Sequence, residues 1–157
     1  MRRKYLKEVI ASIILIIIYV MLANARGVSE NPFRPELSLE VTVVVPILAG
    51  LLISRRTGLV TGLAAPVLNY VLTNDSMQIM MALPYGIVGF IAGYFADKIP
   101  SPVIALLVVP TNFLSYALMG MGDAWKPLIY ESFIGYIVVV VITNIFRICF
   151  KDGIKHK

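Results

Sequence analysis

The chain has 157 residues, of which 59% are hydrophobic and 15% are charged. Soluble domains typically contain about 25% charged and about 45–50% apolar residues, so this composition excludes an ordinary soluble domain and indicates a membrane protein of one domain. The formal net charge is +5, but the basic residues lie in short gaps between apolar runs, which favours a membrane-orientation signal over a nucleic-acid surface.

Six apolar segments are long enough to be membrane-spanning helices, each of which needs about 20 mostly apolar residues. The helix is the open-ended element that satisfies its own backbone hydrogen bonds in lipid, and six such runs would overfill a soluble core of this size. The sequence therefore predicts an all-α, polytopic membrane protein, a single six-helix transmembrane domain over residues 1–157. The predicted spans are 8–25, 38–54, 57–73, 77–96, 102–119 and 130–148.

The first span has a second interpretation. Residues 1–25 combine a basic start, an apolar middle and the triplet Ala23-Asn24-Ala25, a pattern typical of a cleaved signal peptide. Its apolar stretch of about 17 residues is longer than the 7–15 of a typical signal peptide, which favours a retained helix. Cleavage would remove this span and leave the orientation of the others unchanged.

The distribution of Lys and Arg predicts the orientation. Arg55 and Arg56 fall between the second and third spans, where we expect a tight turn. If both termini lie on the same side of the membrane as that turn, all but three of the 14 basic residues lie on that side. The exceptions are Arg26, Arg34 and Lys126. Cytoplasmic loops collect Lys and Arg. We therefore expect a multi-pass plasma-membrane protein with cytoplasmic N- and C-termini.

Small residues recur at helical spacing in the third and fourth spans. The pairs Gly58-x-x-x-Gly62 and Gly89-x-x-x-Gly93 allow helix backbones to approach closely. This spacing predicts a packing interface, either between helices of this chain or with a partner membrane protein.

Amide and aromatic side chains gather at the outward ends of the predicted spans. Such a mixture is typical of a small-molecule pocket. The alternative is a belt of aromatic residues at the membrane surface together with ordinary helix caps, and it applies best to Trp125 and Tyr130. Asn112 and Tyr116 lie deeper in a span, where a buried amide must find a hydrogen-bond partner.

The sequence lacks the usual signatures of catalysis. It contains no P-loop, nucleophile elbow, HExxH motif or pair of buried carboxylates, so we do not expect an enzyme. Cys149 is the only cysteine and His156 the only histidine, which excludes an internal disulfide and a His/Cys metal cluster, and we expect no cofactor. No charged residue lies deep in a predicted span, which argues against a lone ion-driven carrier.

Residues 46–96 carry a family resemblance. The stretch "PILAGLLISRRTGLVTGLAAPVLNYVL" is similar to the hairpin between the second and third helices of the substrate-binding S components of energy-coupling factor (ECF) vitamin transporters. The stretch "LPYGIVGFIAGYFADKI" is similar to the glycine-rich fourth helix of that family. Six spans, cytoplasmic termini and the length of the chain fit the same family.

The resemblance implies a function and partners. The protein would capture a vitamin-like solute from outside and deliver it inward, in a complex with a transmembrane coupling subunit and two ATPase subunits. The chain has no nucleotide motif, so ATP would be hydrolysed by those partners. Its remaining surroundings would be membrane lipid, and no nucleic acid is expected.

The resemblance also suggests which residues bind. Amides would hydrogen-bond the solute, aromatic rings would stack on it, and Arg34 or Glu131 would match its charge. The candidate solute-binding residues are Arg34, Asn69, Tyr85, Asn112, Tyr116, Trp125 and Glu131. Many members carry an Ala-x-x-x-Ala pair where the coupling subunit docks on the first helix. Here Ala11 is followed four residues later by Leu15, so the pair is incomplete. Many also carry an acidic residue where Asn69 stands.

The main alternative is a structural protein. The MreD family of rod-shape proteins is also short, basic and six-spanning, and it acts as a scaffold for cell-wall machinery. That hypothesis predicts a protein partner and no outward pocket, so the cluster of amides and aromatics favours the transporter.

Overall fold

The computed structural model of the chain describes residues 2–24, 41–74, 76–118 and 125–149, without the side chains of residues 2–4, 41, 77 and 125–127. All the regular structure in these ranges is helical, which confirms the predicted all-α class. In chain order the elements are α1 (Arg2–Asn24), a 3₁₀ turn (Val41–Val43), α2 (Val44–Leu52), α3 (Arg55–Thr73), α4 (Ser76–Phe95), α5 (Ser101–Ala105), α6 (Val108–Leu118) and α7 (Trp125–Cys149).

Four stretches within the described ranges are long and apolar enough to cross a membrane: Tyr5–Asn24, Gln78–Phe95, Ser101–Leu118 and Leu128–Cys149. They correspond to the first, fourth, fifth and sixth predicted spans and indicate a membrane protein. The described part of the second predicted span forms a helix of 9 residues after a 3₁₀ turn of 3 residues. α3 has 19 residues but begins with two arginines, which lowers its mean hydropathy.

The helical hairpin of α3 and α4, with α2 lying across it, is packed through glycines. A Cβ atom on Gly58 would collide with the carbonyl oxygen of Gly89 and would lie 2.9 Å from the Cα of Gly50. A Cβ on Gly89 would collide with the carbonyl oxygen of Gly58 and would lie 2.9 Å from that of Pro46. Three backbones therefore touch here with no room for side chains, as expected of small-xxx-small faces.

The same contact continues along both helices. A Cβ on Gly62 would collide with the carbonyl group of Tyr85, and one on Gly93 would collide with the backbone of Arg55. We call Gly50, Gly58, Gly62, Gly89 and Gly93 the glycine junction. All these contacts lie within the chain. Ala11, on α1, is half-buried and does not belong to the junction.

The start of α3 differs from the predicted turn. Arg55 and Arg56 are not in the turn but are the first two residues of the helix, because Ser54 caps it. The Ser54 Oγ accepts a hydrogen bond from the Thr57 backbone N–H at 3.2 Å, which satisfies one of the free donors of the first helical turn. Both arginines are exposed.

Basic and aromatic side chains gather at this end of the bundle. The Arg56 Nη1 donates a hydrogen bond to the Tyr5 hydroxyl at 3.0 Å. The Lys98 Nζ lies 3.8 Å from the centre of the Tyr94 ring, within range of a cation–π interaction. We call this end, which includes the starts of α1 and α3 and the end of α4, the basic end. The opposite end is the polar end.

The fifth predicted span is interrupted. It forms α5 and α6, separated by Leu106 and Leu107. Pro110 has no N–H to donate to the Leu106 carbonyl four residues earlier, and the Val109 N–H occupies that carbonyl instead at 3.0 Å. Like the hydrogen bonds from the Leu106 and Leu107 N–H groups to the carbonyls of Val103 and Ile104, this bond spans three residues and tightens the helix between α5 and α6.

Candidate functional site

Polar side chains are buried at the polar end, where an apolar membrane protein must satisfy each of them internally. Tyr85 of α4 is 1% exposed, and its hydroxyl lies 3.4 Å from the Oγ1 of buried Thr42 in the 3₁₀ turn. Its ring meets that of buried Tyr19 edge to face, with 6.2 Å between the ring centres. Tyr85 therefore joins α1, the 3₁₀ turn and α4.

A second polar contact joins α6 to α7. Asn112 is 2% exposed, and its Nδ2 donates a hydrogen bond to the Oγ of buried Ser132 at 3.3 Å. The next residue toward the start of α7 is Glu131, which is 3% exposed. A buried ionisable residue in a membrane-spanning helix is a functional-site candidate by default, because burying it is expensive.

Helix register places Asn112 and Glu131 at the same depth. One helical turn closer to the basic end than Asn112 and Glu131, α7 contacts α6 and α2. A Cβ on Gly135 would lie 2.8 Å from the Val108 Cγ1 and 3.5 Å from the Val44 Cγ2. Asn112 follows Val108 by four residues and Glu131 precedes Gly135 by four. Because α6 and α7 run antiparallel, both residues lie one turn nearer the polar end.

The 3₁₀ turn brings the two contacts to one level. It precedes Val44 directly and contacts both α6 and α7. Thr42 therefore lies beside the same turn of these helices that carries Asn112 and Glu131. We call Thr42, Tyr85, Asn112, Glu131 and Ser132 the polar layer. The polar layer offers hydroxyl and amide donors, several acceptors and one carboxylate. It lies next to valine side chains of the apolar core.

A neighbouring pair of contacts ties α1 to the hairpin of α3 and α4. The Asn24 Nδ2 donates to the Oδ1 of buried Asn69 at 3.0 Å. The Tyr19 hydroxyl donates to the Gln78 Oε1 at 3.2 Å. These bonds hold the end of α1 against the polar end of the bundle, although most of α1 is exposed.

The seven candidate solute-binding residues divide into three groups. Tyr85, Asn112 and Glu131 belong to the polar layer. Asn69 and Tyr116 are also buried at the polar end, Asn69 against Asn24 and Tyr116 one turn beyond Asn112. Arg34 lies outside the described residues. Trp125 is the first residue of α7, and the structure describes its backbone but not its side chain.

The residues of this region that were not among the candidates include Tyr19, Asn24, Thr42 and Ser132. A tyrosine and an asparagine in an otherwise isoleucine-rich helix are signals that could have identified Tyr19 and Asn24. Thr42 and Ser132 carry no such signal, since a hydroxyl in a membrane helix can bond its own backbone. Their partners became apparent only when the helices were packed.

An apolar groove of about 360 Å³ lies between α6 and α7 beside the polar layer. Its walls include Val109, Leu128 and Phe133. Both Val109 and Phe133 are exposed, so the groove faces the surroundings of the bundle, which are acyl chains in a membrane. Its chemistry suits lipid rather than a polar solute.

No family model, curated protein or solved structure matches this chain.

Proposed function

We propose that the protein is the membrane-embedded, solute-binding subunit of an ECF-type vitamin or micronutrient uptake transporter. The observation that supports this proposal is the polar layer. A layer that contains a carboxylate, an amide and three hydroxyls inside an apolar bundle is costly to bury. A bound solute with matching donors and acceptors would explain why polar groups are buried in this layer.

In the proposed mechanism the polar end faces outward and receives the solute. The Asn112 amide and the Tyr85 and Ser132 hydroxyls hydrogen-bond it, and buried tyrosine rings contact its apolar parts. The loaded subunit then associates with a transmembrane coupling subunit, whose two ATPase partners supply the energy for inward release. This chain contributes recognition and no nucleotide chemistry.

The proposal includes six spans with cytoplasmic termini, and the native cysteine tests this topology. Cys149 ends α7 at the basic end and is exposed. We expect a membrane-impermeant maleimide to label it only after the cells are permeabilised. In a Cys149→Ser protein, Ser76→Cys at the exposed start of α4 should be labelled in intact cells. The reverse pattern would contradict the orientation.

Ligand-induced stabilisation tests the function itself. A ligand that binds only the folded protein stabilises it by about 2.7 kcal/mol at 100 times its Kd. We expect at least one compound in a panel of vitamins and vitamin precursors to raise the melting temperature of the purified protein in detergent. A panel without any effect would favour the scaffold alternative, for which no solute pocket is needed.

A further inference from the structure

The basic end carries a row of cations and tyrosines that crosses three helices. On α3, Arg55 and Arg56 are both exposed, and the Arg56 guanidinium donates a hydrogen bond to the hydroxyl of Tyr5 on α1. Just after α4, the Lys98 ammonium lies over the exposed ring of Tyr94. Arg55 is close enough to Tyr94 for an electrostatic interaction, which connects the two halves. We call these five residues the basic row.

The three cations of the basic row are not balanced by ion pairs. Within the described ranges, no carboxylate forms a salt bridge with Arg55, Arg56 or Lys98. Glu8 on α1 attracts Arg56 only at longer range. Asp97, the sequence neighbour of Lys98, is exposed to the surroundings of the bundle. The row is therefore a surface of net positive charge.

The dipole of α3 adds to this positive charge. Arg55 and Arg56 are the first two residues of that helix, which has 19 residues. The start of a helix is the positive end of its dipole, where acidic side chains are stabilising and basic ones are not. An anion bound at this surface would remove the repulsion, and phosphate is the anion that guanidinium groups bind through paired hydrogen bonds.

The surface of α3 beside the row is apolar. Val60, Leu63 and Val67 follow Arg56 at helical spacing, and all three side chains are exposed. A cation at the end of an apolar strip matches an amphiphile, with its phosphate on the cation and its acyl chain along the strip. A soluble phosphate would make no use of the apolar part.

The row also lies at the level of lipid headgroups. The candidate span Tyr5–Asn24 begins in the row, and the candidate span Gln78–Phe95 ends in it, next to Tyr94. Tyrosines at the ends of spans are typical of the membrane–water interface. The proposed orientation places this end at the cytoplasmic leaflet, whose acidic lipids give it a negative surface potential.

We infer that the basic row binds the headgroup phosphate of an acidic phospholipid, whose acyl chain lies along the exposed apolar strip of α3. The site is at the opposite end of the bundle from the polar layer. The inference therefore does not depend on the proposed transport function, and a protein without a solute would still bind the lipid.

The test measures the melting temperature of the purified full-length protein in detergent with three added probes. These are dioleoyl phosphatidylglycerol, dioleoyl phosphatidylcholine and glycerol phosphate at equal concentrations. We expect only phosphatidylglycerol to raise the melting temperature. Equal stabilisation by phosphatidylcholine would mean that acyl chains alone bind, and equal stabilisation by glycerol phosphate would mean a site for free phosphate. Either result, or no effect of phosphatidylglycerol, would overturn the inference.

Charge-removing variants locate the site. Arg56→Gln and Lys98→Gln should each raise the phosphatidylglycerol concentration needed for half the effect about 5-fold, the loss expected for one cation near an acidic membrane surface. The control is Arg147→Gln, which removes an exposed cation from the last turn of α7, a helix that packs against α2, α5 and α6. It should change little. Equal losses in all three variants would show a general attraction of the basic end for acidic lipid and would overturn the specific site.

Arg55→Gln separates binding from a structural role. Arg56→Gln also removes the hydrogen bond to Tyr5 and could unfold the end of α1, whereas the Arg55 side chain forms no hydrogen bond among the described residues. Without lipid, Arg55→Gln should melt at the temperature of the parent protein or slightly above it, because a like charge leaves the start of α3. It should still weaken the lipid effect about 5-fold, and an undiminished lipid effect in this variant would contradict the inference.

Discussion

Replacing Gly89 with alanine is expected to destabilise the bundle by about 1–3 kcal/mol, the usual cost of overpacking a tight core. The new methyl group would collide with the Gly58 carbonyl oxygen and lie 2.9 Å from that of Pro46. Both obstacles are backbone atoms, so neither can rotate away, and α3 or α2 must separate from α4. The measurement is the melting temperature of the purified variant in detergent.

The same helix provides a matched control. Gly86 lies one turn away, and a Cβ there would meet the Leu63 side chain, 2.7 Å from its Cγ. Leu63 is exposed and able to change rotamer, so Gly86→Ala should be nearly neutral or slightly stabilising, because alanine favours the helix over glycine. Equal losses for the two variants would mean that the glycine junction is not the contact on which the hairpin depends.

Replacing Asn112 with leucine is expected to weaken solute binding strongly while the fold is retained. The leucine has a similar volume but cannot donate the hydrogen bond that Asn112 gives to the Ser132 Oγ, nor one to a solute. Sites that bind through buried hydrogen bonds typically lose about 1–3 kcal/mol when a group is left unpaired, which corresponds to about 5–150-fold in affinity. The measurement is the solute-dependent rise in melting temperature.

Asn144→Leu is the control for this prediction. Asn144 also lies on a long apolar helix, α7, but it is exposed and distant from the polar end. The same chemical change there should leave binding intact. Unchanged affinity in the Asn112→Leu protein would remove Asn112 from the site, and an unfolded Asn112→Leu protein would assign it a structural role.

The sequence predicted the parts of the fold that depend on local chemistry. The boundary between α3 and α4 follows from Asn74, whose left-handed backbone, with φ at 57°, ends α3 in a conformation that asparagine tolerates. The glycine pairs on α3 and α4 were recognised from their spacing. The burial of Asn69, Tyr85 and Asn112 followed from amides and a tyrosine placed within apolar runs.

The contacts that depend on register could not be predicted. Gly50 has no second glycine four residues away, and only the crossing of α2 over the hairpin shows that a side chain has no room there. The pairing of Thr42 with Tyr85 depends on a 3₁₀ turn 43 residues away along the chain. The position of Pro110 does not by itself predict an interruption, because a proline inside an apolar run can kink its helix or be accommodated in a continuous one.

The most direct test of the central claim is mass spectrometry of the compounds that heat releases from the purified protein. The account predicts one vitamin-like compound, close to one per chain, from the parent and the Asn144→Leu proteins, and its absence from the Asn112→Leu protein. If the parent protein releases no such compound, or if the Asn112→Leu protein releases the same compound as the parent, the polar layer is not a solute site. The proposed transport function is then contradicted.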